Sequence, residues 1–291
     1  MGPPDCCRDA VVVVMRLLAI ETATDLVGSA LLSDVHAADH LSDVHAADHA
    51  GVPAVVERSH LGGRAHAELL APSIEEVCAL AGCPLADVDA LAVDIGPGLF
   101  TGLRVGVGTA KALGQSLGLG IVGVTSLDIL AAAAFEAVAA GDRPDRARRV
   151  VSVVDARRSE VFAASYEMGA ATEDPANTCR DQSEPLTPDA LIDWLDELVA
   201  EASPILVVGD GAVRYFDLLA PRRGLDLGLA ESVATPSPAA LARLAARRLA
   251  AGAVAQPAGD LVPDYRRPPD AKINWEERAP QRVARPEVDN P

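Results

Sequence analysis

The segment from Leu91 to Gly120 constrains the fold of this chain more than any other part of the sequence. The apolar run Leu91–Ile95 predicts a buried strand. Gly96, Pro97 and Gly98 follow and predict a turn, because glycine adopts backbone angles that other residues avoid. A helix is then predicted from about Thr101 to Gly118. The segment therefore predicts an α/β unit in which a strand, a tight turn and a helix follow one another.

Small residues recur at every fourth position of this helix. They are Gly102, Gly106, Ala110, Gly114 and Gly118. Residues at this spacing share one face of a helix, and each glycine inside a helix costs about 1 kcal/mol relative to alanine. A close approach of another backbone is the physical reason to keep them. The approaching element is either the chain's own sheet or helix, or a helix of a partner that packs as small-xxx-small faces do.

Length and composition indicate a folded protein with an acidic body. A chain of 291 residues with 49% hydrophobic and 3% aromatic residues builds its core from alanine, valine and leucine, and its length favours two lobes. The net charge is −17, yet the segment 264–291 holds six acids and six bases, so the excess lies in residues 1–263. Such a body repels nucleic acid, which argues against non-specific nucleic-acid binding by the chain alone and favours a basic protein partner.

The cysteines and the apolar runs bear on the cellular location. The five cysteines are an odd number and form no CxxC pair, which is typical of a reducing cytosol. Cys78 and Cys83 lack the further ligands that a zinc site needs. The apolar runs are short, which argues against a membrane span, and the first residues lack the basic region of a signal peptide. We therefore predict a cytoplasmic chain, with residues 1–14 as a disordered extension before Met15.

Periodicity and turn residues predict the other elements of the first lobe, residues 15–141. Strands are predicted over 17–21, 26–32, 52–56 and 121–124, and helices over 66–81 and 126–140. Pro72 is expected to kink the first of these helices or to mark a late start. Ser126 is expected to cap the second.

The second lobe is predicted over 142–235, after a charged linker at 141–149. Its strands are predicted over 150–154, 160–166 and 205–208, and 168–185 is predicted to be a loop. Thr187 and Ser237 are expected to cap helices over 188–201 and 238–251. A C-terminal helix and return segment, 236–263, and a largely disordered tail, 264–291, complete the predicted organisation.

A nonapeptide, LSDVHAADH, occurs at 32–40 and again at 41–49. It contributes two HxxxH pairs, His36 with His40 and His45 with His49. On a helix each pair would face one side and could bind a metal ion. The alternative is a solvated insertion in a hairpin loop, residues 32–49.

Four stretches resemble one family of proteins. GPGLFTGLRVGVGTAKALG, which starts at Gly96, is similar to a motif of the TsaB (YeaZ) family. Leu17–Asp25, His66–Leu80 and Val151–Tyr166 resemble further motifs of that family. TsaB proteins belong to the bacterial complex that makes threonylcarbamoyladenosine (t6A) in tRNA. The resemblance implies the α/β fold of actin, Hsp70 and the sugar kinases, in which two duplicated lobes hold mixed sheets flanked by helices.

In active members of that fold class, nucleotide phosphates and magnesium lie on two hairpin turns between the lobes. The positions of this chain that would line such a cleft, as a vestige of a nucleotide site, are Glu21, Thr22, Asp25, Gly96, Asp155, Gly209 and Gly211. The turn Asp155–Ser159 has no glycine to bring amides close to a phosphate, so the chemistry looks eroded. Glu21 and Asp25 could hold a cation in the first turn, or they are ordinary turn acids, which is the interpretation we favour.

The resemblance also implies a partner. The catalytic paralogue TsaD carries an HxxxH metal motif after the shared strand–turn–helix unit, whereas this chain reads Val124–Ile129 there, without histidine. We therefore predict no metal site and no catalytic residue. The expected role is a non-catalytic scaffold that forms a heterodimer with TsaD, works with TsaE and functionally with TsaC, and meets tRNA only through the complex. A homodimer, and weak ATP or ADP binding with magnesium in the complex, stay open.

The predicted partner surface consists of the helix over 66–81 and the glycine-rich helix. Its residues are His66, Leu70, Ile74, Gly102, Arg104, Gly106, Ala110, Lys111 and Gly114. The rival functions are an autonomous ATP-dependent phosphotransferase of the same fold and a metalloprotease. The missing HxxxH after the glycine-rich helix argues against the second rival.

Overall fold

A computed structural model describes residues 13–36, 54–61, 65–141, 147–201, 204–228 and 231–266. Both lobes are built around a five-stranded mixed sheet. The first sheet contains β1 (Val13–Glu21), β2 (Leu26–His36), β3 (Ala54–Leu61), β4 (Ala90–Gly96) and β5 (Ile121–Thr125). Its strand order is β3-β2-β1-β4-β5. Strands β1, β2 and β3 pair antiparallel, whereas β4 and β5 run parallel to β1.

The second sheet repeats this arrangement strand for strand. It contains β6 (Arg149–Arg157), β7 (Glu160–Glu167), β8 (Cys179–Gln182), β9 (Ile205–Val208) and β10 (Leu225–Gly228). Its order is β10-β9-β6-β7-β8, with antiparallel β6, β7 and β8 and parallel β6, β9 and β10. Thus β6 takes the place of β1, and each later strand takes that of its counterpart. The predicted duplication of an α/β lobe with a mixed sheet is confirmed.

Helices lie on both faces of the sheets. The longer ones are α1 (His66–Leu80), α2 (Phe100–Leu117), α3 (Ser126–Ala139), α4 (Pro188–Glu201) and α8 (Pro238–Ala250). Short helices α5 (Asp210–Arg214), α6 (Phe216–Leu219) and α7 (Glu231–Ala234) follow β9 and β10. Two 3-10 turns occur at Leu85–Asp87 and Pro175–Asn177.

One hydrophobic core joins the two lobes. It contains residues of the first sheet such as Leu17, residues of the second such as Val150, and between them α3 and α8, including Phe135 and Leu241. Separate cores lie beneath α1 and α2 in the first lobe and beneath α4 in the second. The chain is thus layered, with α3 and α8 between the sheets. Because α8 packs on β1 and β2, the C-terminal part of the chain completes the first lobe.

Several predicted element boundaries need correction. Strand β1 already includes Val13 and Val14, which were assigned to the extension, and β2 continues to His36, inside the predicted insertion. Strand β3 runs from Ala54 to Leu61, further than predicted. Helix α1 begins at His66 and continues through Pro72, so the late start is wrong. The predicted loop over 168–185 contains β8, which pairs with β7 as the edge strand of the second sheet.

The cap predictions have mixed outcomes. Thr187 and Ser237 accept hydrogen bonds from the amides of Ala190 and Ala240, as predicted. The cap of α3 is Thr125, whose hydroxyl accepts from the Asp128 amide at 3.2 Å. Ser126 is instead the first residue of α3, and its buried hydroxyl donates to Asp94 Oδ1 at 2.7 Å. The hydroxyl one position earlier therefore caps the helix, and Ser126 belongs to the interior.

In the described part of the chain, no helix combines the length and the apolar character needed to cross a bilayer. Most of the duplicated nonapeptide and the tail beyond Arg266 lie outside the described residues. The metal hypothesis for the paired histidines therefore stays a prediction. Asp264–Arg266, assigned to the tail, are described. The Asp264 amide donates to the Ile95 carbonyl at 2.7 Å, which attaches this end of the chain to β4.

Candidate functional site

The ends of four strands meet at a cleft between the lobes. Strands β1 and β4 are parallel neighbours, so their carboxyl ends lie at the same edge of the first sheet, and β6 and β9 do the same in the second. Two hairpin turns border the cleft, residues 22–25 after β1 and residues 157–159 after β6. Such an edge is where open α/β sheets bind ligands. The structure thus brings together the residues that were predicted to line a vestigial nucleotide cleft.

Acidic side chains accept hydrogen bonds from backbone amides at these strand ends. Glu21 Oε1 accepts from the Ala23 amide at 2.8 Å, and Asp94 Oδ1 accepts from the Gly96 amide at 2.7 Å. In the second lobe, Asp155 Oδ1 accepts from the Arg157 amide at 3.0 Å.

Asp210, which follows β9, accepts from a second amide at the end of β6, because its Oδ1 lies 2.9 Å from the Asp155 amide. A phosphate at a turn is bound mainly by free amides. Here the chain's own carboxylates hold these amides.

Glu21 and Asp94 form a buried pair of carboxyl groups. Both side chains are fully buried, and Glu21 Oε2 and Asp94 Oδ2 have no donor among the described residues. Burial, followed by the neighbouring Asp94 charge, raises the pKa of Glu21 well above its ordinary value. Burial also raises the pKa of Asp94 to about 6. Two neighbouring buried carboxyl groups cannot both ionise without a large electrostatic cost, so the raised pKa values favour a state in which the pair shares one proton.

Arginines supply the positive charge on the second-lobe side of the cleft. Arg157 and Arg214 each contact Asp155 Oδ2 at 3.1 Å, and Arg157 also reaches Asp25 across the cleft. Asp210 lies behind them, and burial raises its pKa to about 6. Acids outnumber these two arginines at the cleft, which disfavours an anionic nucleotide. In the described residues no group of three or more histidine, cysteine, aspartate or glutamate side chains could hold a metal ion.

Gly209 and Gly211 have a packing role. Gly209 has φ 105°, and a Cβ there would lie 2.2 Å from the Val153 carbonyl oxygen. A Cβ on Gly211 would lie 2.6 Å from Val153 Cγ1. Both glycines therefore allow the start of α5 to lie directly on β6, which accounts for them without an adenosine pocket.

The glycine stripe of α2 faces the chain's own first hairpin turn. A Cβ on Gly102 would lie 2.0 Å from the Thr22 carbonyl oxygen, and one on Gly106 would lie 2.2 Å from Thr22 Oγ1. Gly114 packs against Ile121 of β5, and Ala110 is fully buried. Of the two explanations for the stripe, the approach of the chain's own backbone is the one that the structure supports. Gly118 ends the helix in the left-handed conformation.

Most of the predicted partner surface lies inside the lobe. His66, Leu70 and Ile74 are buried on the inner face of α1. His66 Nε2 donates to the Thr24 carbonyl at 2.8 Å, so it ties α1 to the hairpin turn. Lys111 Nζ donates to the Leu261 carbonyl at 2.9 Å. These side chains make their contacts within the chain. The structure therefore corrects the assumption that they face a partner.

Arg104 is exposed, and its guanidinium carbon lies 3.9 Å from the centroid of the Phe100 ring. Phe100 in turn contacts Tyr265, with ring centroids 5.2 Å apart. The outer face of α1 and α2 carries small exposed residues beside this cluster. They are Ala67, Ala71, Gly108 and Ala112. We call this face, together with Arg104 and Phe100, the outer α1–α2 surface.

Sequence reasoning missed a second polar network between the lobes. Asp128 of α3 accepts from the Tyr166 hydroxyl at 3.0 Å and from Arg248 of α8 at 2.9 Å. Arg248 also donates to both oxygens of Asp174. These residues lie far apart in the sequence and share no motif, so only the fold brings them together. Asp94 was also missed, although an acid shortly before a glycine turn is a signal that sequence reasoning can use.

Comparison with known proteins points to one family. A family model described as "TsaD: tRNA N6-adenosine threonylcarbamoyltransferase" matches residues 54–188. The TsaB protein of Escherichia coli, described as a tRNA threonylcarbamoyladenosine biosynthesis protein, is 33% identical over 153 residues. These cover 53% of this chain and 55% of that protein, so the chain spans about half the length of this relative.

Solved structures agree over a larger part of the chain. YeaZ from Pseudomonas aeruginosa has a TM-score of 0.61 at 27% identity and covers 86% of this chain and 99% of its own. A further structure, of an uncharacterised protein similar to peptidase YEAZ from Pseudomonas aeruginosa, has a TM-score of 0.63 at 28% identity. It covers 87% of this chain and 100% of its own. These neighbours confirm the predicted two-lobed fold class, and with the relatives they support the predicted resemblance of this chain to the TsaB (YeaZ) family.

Proposed function

We propose that this chain is a non-catalytic scaffold subunit in the synthesis of t6A in tRNA, and that it forms a heterodimer with a TsaD-type threonylcarbamoyltransferase. Two of its relatives are described as tRNA threonylcarbamoyladenosine biosynthesis proteins, and the family model that it matches is described as the transferase itself. TsaE and ATP are expected to act on the complex, and TsaC is expected to be linked to it functionally. The chain is expected to contact tRNA only through the complex. The expected location is the cytoplasm.

The observation that best supports the non-catalytic role is that the chain's own carboxylates accept hydrogen bonds from the cleft amides. Carboxylates of Glu21, Asp94, Asp155 and Asp210 accept hydrogen bonds from four amides at the ends of β1, β4 and β6, where an active member of the fold would bind phosphate. If a nucleotide replaced these hydrogen bonds, the freed acids would face its phosphates, and like charges repel. The geometry therefore favours a scaffold over the alternative, an autonomous ATP-dependent phosphotransferase.

The partner surface is proposed to be the outer α1–α2 surface. Its small side chains allow two helices to approach closely, and the Arg104–Phe100 pair has the composition of an interface hot spot. Because Gly108 has no heavy atom within 4 Å of a constructed Cβ, this part of α2 is open to another molecule. Arg104 remains in the predicted partner set, whereas the buried residues support the surface from beneath.

The experiment compares two exposed alanines on different lobes. Ala112→Arg places a long cation on the outer α1–α2 surface, whereas Ala200→Arg makes the same change on exposed α4 of the second lobe. Both variants should stay folded by circular dichroism. In a calorimetric titration against purified TsaD, Ala112→Arg should weaken binding at least tenfold and Ala200→Arg should not. Equal, unchanged affinities would remove this surface from the interface.

The catalytic part of the proposal is tested separately. The isolated chain should neither transfer threonylcarbamoyl to tRNA nor hydrolyse ATP with magnesium, and adding TsaD and TsaE should restore the modification. ATP turnover by the purified chain, lost in an Asp155→Asn variant, would support the phosphotransferase instead.

A further inference from the structure

The second hairpin turn adopts a conformation that side chains normally avoid. Arg157, Arg158 and Ser159 have φ angles of 62°, 55° and 60°, three consecutive left-handed residues without a glycine. Each such residue is disfavoured by contacts between its Cβ and the backbone. Backbone strain of this kind persists where the surrounding structure holds it, and it is concentrated at sites with a role.

The strained turn directs the Arg157 side chain across the cleft to the other lobe. Arg157 Nη2 lies 2.6 Å from Asp25 Oδ1 in the first hairpin turn, and Nη1 lies 3.1 Å from Asp155 Oδ2 at the end of β6. One planar guanidinium thus contacts a carboxylate of each lobe, a geometry that arginine favours and lysine cannot reproduce. Arg214 supports the arrangement through a second contact with Asp155 Oδ2 at 3.1 Å.

The position of this contact in the fold gives it a mechanical consequence. The lobes are joined elsewhere by the hydrophobic core that contains α3 and α8, so relative motion of the lobes would open the cleft between the hairpin turns. The Arg157 bridge spans that opening. From this geometry we propose that Arg157 is an inter-lobe clamp, which holds the two hairpin turns together and limits opening of the cleft between the lobes.

The clamp is distinct from the proposed partner surface, because the bridge lies at the cleft and not on the outer α1–α2 surface. It acts in the isolated chain and needs no nucleotide or partner. Arg157 and Asp25 are both partly exposed, 39% and 52%, so water and salt weaken their attraction. The clamp is therefore a modest and salt-sensitive device that limits opening of the cleft without determining whether the chain folds.

Hydrogen exchange in a double-mutant cycle tests this inference. The variants are Asp25→Asn, Arg157→Gln and the double variant, and the readout is amide exchange in residues 22–25 of the first lobe. Arg157→Gln should speed that exchange about 1.4- to 5-fold, the range that corresponds to an exposed ion pair. Asp25→Asn should do the same, and the double variant should exchange no faster than either single variant.

The control variant is Arg222→Gln, which removes an ion pair with Asp196 inside the second lobe and should leave the first turn unchanged. In the unmodified chain, 1 M salt should speed exchange in residues 22–25 to the level of Arg157→Gln, and salt should not affect that variant. Should Arg157→Gln fold poorly, Asp25→Asn and the salt series give the same test, since Asp25 is the exposed residue of its turn. Additive effects, or unchanged exchange in the first turn, would overturn the clamp.

Discussion

Two glycines of α2, only two positions apart, offer a sharp test of the packing described above. Gly106 faces Thr22, and a Cβ there would lie 2.2 Å from Thr22 Oγ1, whereas a Cβ on Gly108 meets no heavy atom within 4 Å. Replacing either glycine by alanine adds the same methyl group and removes the same helix penalty, about 1 kcal/mol. Any difference between the two variants therefore reports the contact with Thr22.

The expected loss of stability in Gly106→Ala depends on how Thr22 responds to the added methyl group. Its side chain is fully buried, and its hydroxyl donates to the Gly102 carbonyl at 2.9 Å. To accept a methyl group on Gly106, α2 must shift or Thr22 must rotate, which breaks that bond. Overpacking costs about 1–3 kcal/mol and the lost hydrogen bond about 1 kcal/mol. Gly106→Ala should therefore be about 2–4 kcal/mol less stable than Gly108→Ala.

Urea unfolding followed by circular dichroism measures this difference. Gly108→Ala should raise the midpoint above that of the unmodified chain by an amount equivalent to about 1 kcal/mol, and Gly106→Ala should lower it, with equal slopes. If Gly106→Ala were as stable as Gly108→Ala, the glycine stripe would not be in contact with the first hairpin turn. The role of Gly106 would then have to lie outside the isolated chain.

Three further predictions concern the cleft, a helix cap and the insertion. The pKa values of Glu21 and Asp94 are raised, so the folded state binds more protons than the unfolded state. Their contribution to stability is therefore present at acid pH and is lost as the pH rises, for Asp94 through about 6. Glu21→Gln should therefore stabilise the chain at pH 7 by on the order of 1–3 kcal/mol, and by less at pH 5, in urea titrations at both values; a pH-independent effect would argue against the shared proton. Thr125→Ala should cost about 1 kcal/mol because the cap of α3 is lost, whereas a cost nearer that of a core cavity would mean that Thr125 does more than cap. Deleting residues 41–49 should change the melting temperature by only a few degrees, since loop length contributes about 0.6 kcal/mol per doubling, and a large fall would place the nonapeptide in the core.

The two cleft turns show how far motifs alone can be interpreted. The sequence identified Glu21, Asp25 and Asp155 as turn acids, and the absence of glycine from Asp155–Ser159 as a departure from phosphate binding. The structure adds that Glu21 and Asp155 accept hydrogen bonds from local amides, and that Arg157, in a left-handed conformation, reaches Asp25. A missing glycine can be seen in a sequence, but a side chain that crosses to the other lobe cannot.

The sequence by itself determined the elements that depend on local chemistry. Apolar runs located β1, β4, β6 and β9, and the residues with hydroxyl groups at Thr187 and Ser237 located two helix starts, because strand burial and capping involve residues close in the chain. The four-residue spacing also showed correctly that some backbone must approach α2. It did not show which one, since a spacing describes only one side of a contact.

The tertiary structure decided everything that depends on a second surface. It placed Thr22 against the glycine stripe, turned His66, Leu70 and Ile74 inward, and buried Glu21 beside Asp94. Strand β8 was missed because an edge strand of four mostly exposed residues has no apolar period, and only its pairing with β7 defines it. Burial, proton sharing and contacts between the lobes are properties of pairs of distant residues, and folding has to bring each pair together before these properties exist.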